Sequence, residues 1–216
     1  MTPASPPAPQ LRVHVLLQDL QQQFAAWLAT PTRARGYPPY QGQHALIVEV
    51  APGLAIHRVA DLALRAVPAV EPGILFVERQ FGVLEVHGDR LADVEAAGEA
   101  ILAGLGAGPG DRLRPHVLYS DVIHDVTDTH AVIVNRTREA SMLLPGQSLL
   151  VHEVTPALFA AVAANEAEKA SPGITLVDVS MIGAAGRVYI AGSPSTVATA
   201  AEAIDAALAA VEGRDH

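Results

Sequence analysis

The chain repeats itself at a spacing of about one small domain, and this limits its fold more than any single motif. Leu11-Arg12-Val13-His14-Val15-Leu16 returns as Leu113-Arg114-Pro115-His116-Val117-Leu118, an offset of 102 residues. Gly42-Gln43 followed by Glu49-Val50-Ala51-Pro52 matches Gly146-Gln147 followed by Glu153-Val154-Thr155-Pro156 at an offset of 104. Pro72-Gly73-Ile74 matches Pro172-Gly173-Ile174 at 100, and Val94, Glu99, Ala100 and Ile101 match Val197, Glu202, Ala203 and Ile204 at 103. Two copies are too few for a solenoid and suit a duplicated domain. The expected organisation is a Pro-rich disordered tail over residues 1–10 and domains over 11–108 and 113–211. The domains join at the turn-rich Gly106-Ala107-Gly108-Pro109-Gly110.

Each half carries the same succession of patterns. A β-rich segment opens it (13–17; 117–119), a variable polar segment follows, and an apolar strand (45–50; 149–154) ends at a Pro placed to start a helix. Ile56, Val59, Ala60 and Ala63 lie at i, i+3, i+4 and i+7, one apolar helix face. A Pro-Gly turn then leads to two strands (74–78 and 82–86; 174–179 and 187–191). A last helix shows Leu91, Val94, Gly98, Ile101, Leu102 and Leu105 on one stripe. Helices mixed with short hairpins predict an α+β class, each domain a small, mainly antiparallel sheet with packed helices. His14 and His116, at matched positions, are expected to share a structural role such as capping a strand end.

Composition narrows the function. A net charge of -9 argues against nucleic acid, whose phosphates call for clustered Lys and Arg. The absence of cysteine removes disulfides, thiolate metal sites and Cys catalysis. No apolar run approaches the roughly 20 residues that cross a bilayer, and MTPASPPAPQ lacks the basic and apolar regions of a signal peptide. A soluble, intracellular protein without a membrane partner is expected. His124, Asp125, Asp128 and His130 cluster in sequence, but without a helical HExxH spacing no metal is expected. The glycines at 104–110 lack a phosphate-loop lysine, and no serine sits in a GxSxG elbow. No nucleophile, base and orienting group assemble, so neither an enzyme nor a cofactor is expected.

The segments VEVAPGLAIHRVADLALRAV and HEVTPALFAAVAANEAEKAS resemble the strand–helix signature of the bacterial microcompartment (BMC) shell domain. LRVHVLLQDLQQQFAAWL, PGILFVERQFGVLEVH, MLLPGQSLLVHEV and AANEAEKASP are similar to stretches of the double-stacking tandem proteins of carboxysome shells. The resemblance spans about residues 11–210, and the leading strand before VEV is similar to the circularly permuted form of the domain. It implies a homotrimer of two-domain chains forming a pseudo-hexameric disc. Discs of this kind can stack as two trimers and tile with other shell proteins around a carboxysome in the bacterial cytoplasm. It also implies a central pore gated by Glu78 and Arg79, with Gln80, Phe81 and Gly82 beside it, passing small anionic metabolites. Disc-edge contacts fall to Arg65 and Lys169.

The proposed switch has a simple physical form. Adjacent side chains of an extended segment point opposite ways, so a small backbone rotation would exchange Glu78 for Arg79 at the axis. An exposed Glu–Arg pair is worth about 0–1 kcal/mol, and three would sum to roughly 3. Moving an equilibrium from 1:99 to 99:1 takes about 5.5 kcal/mol. The corresponding stretch of the second half, residues 177–186, is small and mostly uncharged, and either lines a vestibule or only closes its hairpin. The competing reading is a duplicated α+β small-molecule sensor with a ligand site between subunits.

Overall fold

The computed structural model describes residues 9–30 and 36–215. Most of the expected tail therefore lies outside the described residues. The first half runs β1 (Gln10–Leu17), α1 (Gln22–Leu28), β2 (His44–Ala51), α2 (Ile56–Ala66), β3 (Glu71–Glu78), β4 (Phe81–Gly88) and α3 (Leu91–Leu105). The second repeats it as β5 (His116–Ile123), α4 (Asp128–Asn135), β6 (Ser148–Thr155), α5 (Phe159–Ala170), β7 (Thr175–Ser180), β8 (Gly186–Gly192) and α6 (Pro194–Ala209). Each half folds into a four-stranded antiparallel sheet, of order β1-β2-β4-β3 and β5-β6-β8-β7. The α+β expectation holds.

Sheet register gives the true equivalence of the halves, and it corrects two of the matched segments. Val50 faces Gly82 as Val154 faces Gly186, so the 104 offset stands for the central strands. In the opening strands, however, Leu11 lies opposite Val50 and Val117 opposite Val154, an offset of 106 and not 102. The counterpart of His14 is thus Ser120, and His116 is only the first residue of β5. The two histidines share no role. Pro72 pairs with Val86 inside β3, as Leu176 pairs with Ile190, whereas Pro172 and Gly173 precede β7. The 100 offset joined a strand to a turn. Pro72 is tolerated there because β3 is an edge strand with a bulge beside it.

The prolines after β2 and β6 do not open helices. Each follows a cis peptide, Ala51-Pro52 and Thr155-Pro156. In the first half a single 3-10 turn, Gly53–Ala55, separates Pro52 from α2. The segment read as polar contains α1, whose Phe24, Ala25, Trp27 and Leu28 are buried. Phe24 and Trp27 sit three residues apart on one helix face and stack at 6.0 Å.

Helix α1 ties the halves together. Its first turn has no side-chain cap of its own and takes acceptors from α5. Gln21 N donates to Asn165 Oδ1 at 2.9 Å, and Gln23 N and Phe24 N donate to the Glu168 carboxylate at 2.9 and 3.0 Å. A carboxylate at a helix N-terminus is favourable because exposed N–H groups and the helix dipole converge there. Gln23 also bridges to β7, accepting from Leu176 N and donating to Ile174 O. Behind this seam one continuous core joins Val13, Val15, Ile47 and Trp27 to Leu158, Ala161, Val162 and Ala164. A separate core fills the opposite face of the first sheet, under α2 and α3.

Candidate functional site

The β3–β4 hairpin is tight. Glu78 pairs with Phe81, leaving Arg79 and Gln80 as the turn. Both turn residues are exposed, and Arg79 holds a left-handed φ of 52°, a conformation that suits glycine better than arginine. This revises the expected switch. Arg79 is the first residue of a turn and not the neighbour of Glu78 along an extended strand, so simple alternation does not govern where it points. The side chain of Glu78 lies outside the described residues.

Two features fix the base of this hairpin. The Arg12 guanidinium lies 3.9 Å from the centre of the Phe81 ring and its Nε donates to Glu49 Oε1 at 2.7 Å. Glu49 is buried. Burial pushes its carboxyl above the usual range, and the bond and charge of Arg12 draw it back. Gly82 is the second feature. A Cβ there would run into the carbonyl oxygen of Gly53 and the Cβ of Ile56, so this residue is a buried close-approach glycine supporting the turn from beneath. Gly186 is its counterpart, where a Cβ would meet Ala157 O and Ala160. Sequence reasoning missed Arg12 and Glu49. The available signal was a carboxylate inside the apolar run ALIVEVA.

The second hairpin is longer and uncharged, with Met181 to Ala185 between β7 and β8. Its Gly183 and Ala184 line, with Arg79, Gln80 and Phe81, one cleft of about 330 Å³. The second hairpin thus shares a cleft with the Arg79 turn besides closing its own strand pair.

The two edge candidates differ. Arg65 is exposed and bonds Asp61 Oδ1 at 2.6 Å, one turn earlier on α2. Lys169 reaches across the internal seam to Gln18 O at 3.0 Å and pairs with Glu166 at 3.2 Å. Among the described residues no group of three His, Asp or Glu side chains is placed to hold a metal ion, and no helix is long and apolar enough to cross a membrane.

Two four-stranded sheets of identical order, each opened by the strand that precedes the VEV segment, define a permuted and duplicated microcompartment shell domain. The family model for the CsoS1D N-terminal domain matches residues 11–111. The carboxysome shell protein CcmP of Synechococcus elongatus is 40% identical over 207 residues, covering 96% of this chain and 95% of that protein. The carboxysome shell protein CsoS1D of Hydrogenovibrio crunogenus is 41% identical over 200 residues, 92% of this chain and 96% of its own length. Among solved structures, a double ringed trimeric shell protein from the RMM microcompartment is 65% identical with a TM-score of 0.92, covering 96% of this chain and all of that one. A fused permuted hexameric shell protein from the same kind of compartment is 45% identical with a TM-score of 0.90, covering 95% of this chain and 100% of its own.

The chain belongs to the tandem-domain microcompartment shell proteins, the family of CcmP and CsoS1D. These relatives are structural shell proteins, and the sensor reading finds no support among them.

Proposed function

We propose that three copies of this chain form a pseudo-hexameric shell tile, that two tiles stack face to face, and that the Arg79 turn sits at the central opening. The 65% identity to a double ringed trimer supports the assembly. The observation that carries the pore reading is the exposed Arg79 turn, anchored by Phe81, Arg12 and Glu49 and facing the second hairpin across a cleft. Three guanidinium groups around one axis raise the local concentration of anions, so small anionic metabolites are the cargo of the opening. The tile belongs to a shell inside the bacterial cytoplasm alongside other shell proteins. Identity is greater to the RMM protein than to the carboxysome proteins, and the tile design serves both kinds of compartment. Residues 11–108 and 113–211 are taken as the two shell domains, and Arg65, with Lys169, as contacts at the tile edge.

The test is imaging of wild type and of the Glu78→Ala/Arg79→Ala double variant, sorting particles by pore aperture. Altered open and closed populations are expected; identical populations would remove the gate. Arg65→Ala is expected to stop tiles joining into sheets while leaving the trimer intact, as read by sedimentation and electron microscopy.

A further inference from the structure

One residue of β1 stands outside its ladder. Leu11 pairs with Val50 and Val13 with the adjacent Glu49, so Arg12 is a bulge. A bulged residue is left without a ladder partner, and its side chain is aimed away from the strand's alternation. Here it is aimed at the base of the pore turn, with the guanidinium 3.9 Å from the Phe81 ring centre and Nε on Glu49. The second half has the same bulge at Leu118, but the residue there is an exposed leucine and the hairpin is uncharged. What holds Arg12 in place comes from the far end of the chain. Its carbonyl accepts from Leu113 N at 2.8 Å, in the segment that joins the halves. Residues 212–215 lie over that segment. Leu113 and Arg214 form a parallel bridge, with Arg214 N donating to Arg112 O at 2.8 Å and Arg114 N to Arg214 O at 3.0 Å. The Arg214 side chain crosses the linker. Its Nε donates to Asp111 O at 2.9 Å, and its Nη2 reaches Leu11 O, the carbonyl before the bulge, at 3.3 Å. A Cβ at position 213 would strike Arg112 O at 2.6 Å and Arg114 N at 2.9 Å, so the segment lies flat only because Gly213 stands there.

We infer that residues 212–215 are a strap that sets the Arg79 turn from a distance. Arg214 is a positioning residue: it acts through Leu11 and the linker on Arg12, and Arg12 holds the turn through Phe81. The consequence for passage rests on the pore reading above, whereas the coupling of strap to turn does not. The strap is short and lies outermost on the first sheet, beyond the edge strand β1 and the linker. A segment so placed opens locally without opening a core. Its hold is on the carbonyls of Leu11 and of the linker. Releasing it therefore changes the aim of the Arg12 guanidinium while every member of the bracket stays in the chain. A non-glycine residue at left-handed φ persists only where its surroundings over-determine it. Arg79, at a φ of 52°, is such a residue, and the bracket at Phe81 is what over-determines it. Loosening the strap thus frees the turn to take another conformation. Bulged cation, strap and charged turn all belong to the same half of the molecule.

The test is hydrogen–deuterium exchange of the full chain, comparing wild type with Arg214→Met, Gly213→Val and Arg12→Met. Gly213→Val lifts the strap without altering a charge, and circular dichroism checks that each variant folds. In the peptide spanning residues 77–83, each variant is expected to exchange about fivefold faster than wild type. The peptide spanning 180–187, in the other hairpin, is expected to keep its wild-type rate. Arg214→Lys keeps the charge but has one nitrogen for two carbonyls, and is expected to match Arg214→Met. Because both residues act along one path, Arg12→Met/Arg214→Met is expected to exceed Arg12→Met alone by less than about twofold. Unchanged exchange at 77–83 in both strap variants, or effects that multiply in the double variant, would overturn the strap. Imaging of the same variants then tests passage, with shifted open and closed populations expected. Faster exchange at 77–83 with identical populations would leave the strap standing and remove the turn from the pore.

Discussion

The two hairpins show how a duplicated fold divides its labour. Both strand pairs pass over the same kind of close contact, Gly82 against Gly53 and Gly186 against Ala157. Above that contact they part. The first closes in a two-residue turn with an arginine at positive φ, stacked and braced through Phe81, Arg12 and Glu49. The second closes through a longer loop of Met181 to Ala185 without charge. Its equivalent of Glu49, Glu153, takes its arginine from β8, with Arg187 at 2.8 Å. Divergence is concentrated where the two copies face different surroundings, and the buried scaffold beneath is held in common.

The sharpest way to break that comparison is at α1 and α4. Trp27→Ala removes a buried ring from the core that joins the halves, and a loss of about 3–5 kcal/mol is expected in urea unfolding. Ile133→Ala at the twin position is expected to change the dilute, dissociated chain by less than about 0.5 kcal/mol. Equal effects would mean that the internal seam is not the asymmetric feature described. Next come Gly82→Ala and Gly186→Ala, each forcing a Cβ into backbone. Each is expected to destabilise by about 1–3 kcal/mol. A large difference between them would show that the shared scaffold has also diverged.

Arg79 gives a smaller effect of opposite sign. Arg79→Gly relieves the left-handed φ and is expected to raise stability by about 1 kcal/mol, whereas Arg79→Ala removes the charge with no such gain. Thermal midpoints of the pair separate backbone relief from loss of the guanidinium. The smallest expected effect is at His14, whose twin Ser120 does not titrate. Burial lowers the His14 pKa below its ordinary 6.5. The unfolded chain therefore binds the proton more readily, and stability falls as pH drops below that value. His14→Gln is expected to flatten the decline of the thermal midpoint as pH falls below 6.5.

Much of this architecture was legible in the residues. The duplication, the strands around VEV and HEV, the amphipathic α2 and the hairpin at Glu78-Arg79 all follow from periodicity and spacing. What failed had a common cause. Matching letters placed His14 against His116 and Pro72 against Pro172, but backbone opposition, not residue identity, sets equivalence in a sheet, and a few residues' difference in loop length moves one away from the other. Helix α1 was hidden because QQQFAAWL opens on three polar residues, and its apolar side is buried by the other half of the chain. No local window carries that information. The Arg12–Glu49–Phe81 bracket escaped for a similar reason: its members come from three strands.

The seam of α1 on α5 bears on how readily such a tile assembles. Bringing separate molecules together sacrifices translational and rotational freedom worth an estimated 4–15 kcal/mol for each association. In a ring of six shell domains made from three such chains, every second joint is already closed by the peptide backbone, so three of those unions require no encounter in solution. The remaining three can be weaker and still hold. That leaves the joints between molecules room to respond to salt, to neighbours or to a second ring, while those inside each molecule stay shut.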